Sequence, residues 1–157
     1  MRVTQAVVAR EREWIHGRAD RTVELINDVR TDLGALFGTD VDPVTVSGYR
    51  SEVDAVFAEG DLAVNVAALV ALLRELDVAD DYPGFVVDEV LGRELAGTLA
   101  GSQPLRMLGE ATFHYADAHT DGSAAGVDDL DAALAAGFQT RLPGWDWTTG
   151  ESPFAVE

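Results

Sequence analysis

Apolar side chains recur along this chain at intervals of three and four residues, the spacing that places them on one face of a helix. Val3, Val7, Trp14, Leu25, Val29, Leu33, Leu36 and Phe37 keep that period, and Gly38 stands where a helix would stop. A first helix is therefore expected from about residue 3 to 37, with Gly17 as a point of kinking. The connector GTDVDPVTVSG at 38–48 is rich in turn formers, and Asp42 and Pro43 are placed as an N-cap and a first helical residue. Tyr49, Val53, Val56 and Phe57 give a second helix its apolar face, up to Gly60. Asp61 caps a third, from 62 to about 78, whose apolar residues cover most of its circumference and mark it as the expected centre of the fold. After the break ADDYPG, Phe85, Val86, Val90, Leu91, Leu95 and Leu99 define a fourth helix closing at Gly101. Ser102 and Pro104 open a fifth, with Leu105, Leu108, Thr112, Tyr115 and Ala116 on one side, and a short sixth over 127–136 is stopped by Gly137.

The tail from 139 to 157 breaks this pattern. Pro143, Gly144, Gly150 and Pro153 exclude a helix, yet Trp145, Trp147 and Phe154 need cover. In an extended chain Trp145 and Trp147 project to the same side, which suits a strap across the bundle or an arm laid on a neighbouring subunit. The expected architecture is an all-α, single-domain bundle of five or six helices over 1–138, followed by an extended aromatic tail over 139–157. The alternative adds a small β element at 41–46. A chain of 157 residues suffices for one core, and no internal repeat or composition shift marks a second domain.

Charge changes the picture more than hydrophobicity does. Against 28 Asp and Glu stand 11 basic residues, all of them arginine, for a formal net charge of -17. At ordinary ionic strength, where the Debye length is about 8 to 10 Å, such a surface repels itself; near molar salt the length falls to about 3 Å and the carboxylates keep the surface hydrated. The acidic, lysine-free composition resembles that of cytoplasmic proteins of salt-accumulating archaea. The absence of cysteine removes disulfides, thiolate nucleophiles and cysteine-type zinc sites. The opening residues carry charges where a signal peptide needs an apolar run, and the longest apolar stretch, at 62–73, is too short to span a bilayer. A soluble, cytoplasmic protein without a membrane partner is expected.

Two acidic and histidine rows are the candidate chemistry. Glu110, His114, Asp117 and Asp121 cluster on one stripe of the fifth helix, and Glu13, His16 and Asp20 form a shorter row on the first, with the Glu-x-x-His spacing of helical-bundle metal sites. Glu13, His16, Glu110, His114 and Asp117 are thus the candidate metal ligands, although both rows lie opposite the apolar faces and read first as solvated surface. His119, on the apolar side, reads as a core or helix-end residue before it reads as an acid or base. Phosphate loops, nucleophile elbows, zinc-protease helices and calcium loops are absent from the sequence.

Glu11 and Arg18 share the side of Val7, Leu25 and Val29, where charges are costly unless paired. Either they pair with each other and other groups, or this face meets a partner, or a kink at Gly17 turns them outward. Residues 1–30 hold six arginines and five acids, whereas 31–157 hold five arginines and 23 acids. The first helix is the least acidic surface on offer, and Arg10, Arg18 and Arg21, with Trp145 and Trp147, are the candidate interface residues. The best reading is a non-enzymatic, oligomerising module that contacts another copy or a protein partner. The alternatives are a metal-dependent or small-molecule enzyme using the histidines, with no cofactor specified, and a nucleic-acid-binding regulator, for which the first helix is far less basic than expected.

Overall fold

Thr4 starts the first helix by accepting a hydrogen bond from Val7 N on its hydroxyl, at 3.2 Å. In this computed structural model, which describes residues 1–38, 40–76, 87–100, 109, 112 and 127–144, the expected long helix is two: α1, Gln5–Gly17, and α2, Ala19–Phe37. They part at Arg18 (φ -88, ψ 7), one residue past the expected kink. Gly38 ends α2 in the left-handed region at φ 66, as its position in the pattern predicts.

The next helix starts later than Asp42 and Pro43 suggest. Asn27 of α2 grips the backbone of Val44 at both ends, donating to Val44 O at 3.1 Å and accepting from Val44 N at 2.8 Å. That grip holds the connector irregular, with no strand at 41–46, and Thr45 becomes the cap by accepting from Gly48 N at 3.0 Å. α3, Val46–Ala58, and α4, Gly60–Glu75, follow, and the chain bends by 111° between them. Glu59, not Asp61, is the N-cap residue of α4, with Asp61 in its first turn. Residues 77–86 lie outside the described set. The expected fourth helix begins as a π-helical turn, Val87–Gly92, and continues as α5, Arg93–Ala100. Of the expected fifth helix only Gly109 and Thr112 are described, both helical and buried.

α6, Val127–Gln139, is the centre of the fold, a place the pattern assigned to α4. Every residue from 130 to 140 is buried, whereas α4 leaves Val64 46% exposed. The reason is size: Ala132, Ala133, Ala135 and Ala136 let α2, α4, α5 and the π turn approach α6 from all sides. Gly137 does not stop this helix. A Cβ there would stand 2.5 Å from Leu99 Cβ, so the glycine is a contact point between α5 and α6. Tyr49 of α3 meets Phe138 edge-on at 5.0 Å and donates its hydroxyl to Ile15 O at 3.1 Å, tying three elements to the core. Burial pushes the Tyr49 pKa up.

The molecule is thus an all-α single domain, with no strand among the described residues. No single helix among them is long and apolar enough to cross a membrane. The start of the tail, 140–144, is a turn folded back on α2; the strap and its Trp145 and Trp147 lie outside the described residues.

Candidate functional site

Glu11 is buried in the face that α1 turns to α4, and two arginines meet its carboxylate: Arg10 Nε at 2.8 Å and Arg74 NH1 at 2.6 Å. Arg74 also lies over the ring of Trp14, 4.6 Å from its centroid. Arg18, at the break, donates through Nε and NH2 to the two oxygens of Asp131 on α6, at 2.9 and 2.5 Å. The paired charges on the apolar face of the first helix are therefore balanced by partners from α4 and α6, and not by each other. Asp131, 0% exposed, is seated by the all-round burial of α6, and no spacing in the sequence marks it out.

Arg30 of α2 is a second buried charge that the sequence reading passed over. Its guanidinium donates to Gln139 Oε1, Asp42 O and Pro143 O, each at 2.6 Å, and to Leu142 O at 3.3 Å. One side chain thus joins α2, the connector and the turn after α6. Burial pulls its pKa down to about 10. Gly144, at φ 122, completes the fit, because a Cβ there would stand 2.5 Å from Arg30 NH1. A signal was present: Arg30 stands four residues after Ile26 and three before Leu33, on the packing face of α2.

His16 faces α3. Its Nε2 lies 2.8 Å from Asp54 Oδ1, the oxygen that also takes two hydrogen bonds from Arg12, at 3.1 and 2.6 Å. Arg12 and then His16 hold the Asp54 carboxyl below the usual carboxylate range, and the same contact raises Arg12. Glu13 points to water at 74% exposure, so it and His16 do not converge despite their spacing. Among the described residues no three histidine or acidic side chains are grouped to hold a metal. Glu110, His114 and Asp117, the other half of that candidate set, lie outside the described residues, as does His119.

Of the arginines in the first thirty residues, Arg10, Arg12, Arg18 and Arg21 bond carboxylates within the chain and Arg30 is buried. Arg21 meets Glu24 at 3.1 Å on the exposed face of α2. Arg2 has no such bond among the described residues. A surface hollow opens beside the start of α1. This is an open, mostly apolar cleft of about 480 Å³ between the start of α1 and the corner of α3 and α4. Val3, Val8, Ala9, Phe57, Ala63 and Val64 line it, with Arg12 at its edge. A second hollow, of about 500 Å³, lies along α2 and the connector beside Arg30, with Gly34 and Gly38 in its wall.

No curated protein and no solved structure matches the chain. A family model does match it, over residues 1–157, and by that match the chain belongs to the family described as a domain of unknown function, DUF7984.

Proposed function

We propose that this protein is a non-catalytic helical module that associates with further copies of itself in a cytoplasm rich in salt. The observation that carries the reading is where the charges go. Glu11, Arg18, Arg30 and Asp131, the groups a reader would first suspect of chemistry, are taken up by partners that join one helix to another. What they hold together leaves a mostly apolar cleft open to water between the start of α1, in the least acidic stretch of the chain, and the corner of α3 and α4. Apolar surface left open there is compatible with a protein contact. The excess of acids supports the salt-rich setting: a body of net charge -17 associates with its own kind only where mobile ions screen it.

The test is light scattering of the full chain in about 2 to 3 M potassium chloride, where the screening length is about 3 Å or less. A defined oligomer across a range of concentrations supports the reading; a monomer at every concentration overturns it.

A further inference from the structure

The corner between α1 and α2 lacks the usual causes of a helix break. No proline stands before Pro43, neither Gly17 nor Arg18 has a positive φ, and no side chain caps the start of α2. Helical hydrogen bonds run through the corner: Arg18 N donates to Trp14 O at 3.2 Å, and Thr22 N to Arg18 O at 2.9 Å. One dihedral departs, Arg18 ψ, which is 7 where a helix has about -42°. What holds the chain bent is tertiary. Arg18 is drawn to Asp131 of α6, while α1 packs on α3 and α4 through Ile15, the Glu11–Arg74 pair and the contact of Arg12 with Asp54, and barely touches α2.

We infer that α1 is an exchangeable arm: Arg18 turns to its helical ψ, α1 and α2 join into one straight helix, and the α1 of each of two copies seats on α3 and α4 of the other. The inference rests on the self-association proposed above and names its means. The surface that receives the arm is the one α1 covers within a single chain, so the contacts between copies are those already described. A straightened arm takes Ile15 and Glu11, both 0% exposed, away from their cover, and a second copy supplies the same cover again. Reciprocal exchange closes on a two-fold axis and requires no complementary surface that one chain lacks. Gly17, which neither a close neighbour nor a positive φ requires, is the residue that leaves Arg18 free to turn. Charge favours the exchange as well. Residues 1–17 hold three arginines and two acids, against eight arginines and 26 acids in the remainder, so each arm lands on an acidic body. Concentrated salt screens the repulsion between the two bodies.

Charge reversal tests the exchange. Glu11→Arg and Arg74→Glu each set like charges across the α1–α4 contact of a closed chain. In an exchanged dimer of one variant with the other, one arm makes the reversed pair and the other arm the native pair, so neither contact is mismatched. The two variants, one of them tagged, are unfolded together and refolded in about 3 M potassium chloride. Mixed dimers should exceed same-variant dimers about tenfold, whereas tagged and untagged wild-type chains should mix in the statistical proportion. A variant that fails to fold alone should recover its helical circular dichroism spectrum on mixing. Arg12→Asp and Asp54→Arg repeat the test at side chains 42% and 49% exposed, leaving the interior untouched, with an expected preference of about twofold. The corner itself is read by spin labels on a Glu13→Cys, Leu36→Cys chain diluted in wild type, at side chains that are exposed in a protein with no other cysteine. A straight helix separates the two positions by about 35 Å, and the closed corner by less. A mixed-dimer preference together with the straight-helix distance supports the exchange. An oligomer with neither overturns it while leaving self-association standing. A wild-type chain that is monomeric throughout overturns both.

Discussion

Asp131 is wholly buried while Arg18 keeps 31% of its side chain in water, so removing one partner is unlike removing the other. Arg18→Ala strands a carboxylate in the interior and should cost about 3 to 5 kcal/mol, whereas Asp131→Ala leaves a guanidinium that already reaches water and should cost about 1 to 2 kcal/mol. Thermal unfolding at one salt concentration checks this, and equal losses would show that burial of the acid is not what matters. Arg30→Met removes the donor shared by three carbonyls and Gln139, with an expected loss of about 3 kcal/mol or more. The Asp54 contact carries a pH signature. Its folded carboxyl binds a proton less tightly than the unfolded one, whose ordinary value is 3.8. The stability it supplies is therefore complete above that value and lost as pH falls through the lower, folded value. The difference in unfolding midpoint between wild type and Asp54→Asn should be present at neutral pH and should vanish in strong acid.

At the scale of elements, two helical glycines have opposite roles. Helix propensity alone says that alanine improves both Gly17 and Gly137. A Cβ at Gly17 meets nothing within 4 Å, so Gly17→Ala should raise stability by about 0.4 to 1 kcal/mol through the unfolded chain. A Cβ at Gly137 meets Leu99 Cβ at 2.5 Å and must push α5 away from α6; Gly137→Ala should cost about 1 to 3 kcal/mol. Denaturant unfolding of the two variants reads the signs directly. The closeness of α5 to α6 and the four alanines beside it also explain why so short a helix occupies the middle of the domain. Small side chains allow neighbours on every side, while the bulkier Val and Leu of α4 reach outward as well as in.

For the whole molecule the governing quantity is net charge. Internal pairing balances arginines against acids within the helices, but arginines number only 11 against 28 acids, an excess of 17 that such pairing cannot cancel. Their mutual repulsion acts over the Debye length, so it grows as salt is withdrawn. Dialysis from about 3 M salt to dilute buffer should lower the unfolding midpoint by about 10 °C or more, equivalent to about 3 kcal/mol for a chain of this size. Calorimetry in the two buffers checks it. An unchanged midpoint would mean that the acids are not a salt adaptation and that their rows need another explanation.

The elements whose signals are local were legible from the residues alone. The period of three and four, Gly38 as a stop and the interruption near Gly17 each depend on neighbours within a turn or two, and the structure has a helix or a break in each place. Composition likewise set the charge and the lack of thiols without reference to any fold. Partners distant along the chain were not legible. Glu11 meets Arg74 across 63 positions and Arg18 meets Asp131 across 113, pairings chosen by how helices pack and by no spacing within one of them. For the same reason Gly137 reads as a terminator until Leu99 is seen against it, and His16 reads as the companion of Glu13 until α3 brings Asp54 to its ring. A helix's existence is written in its own backbone preferences, whereas the work of a side chain on its packing face is decided by whatever the tertiary fold sets opposite it.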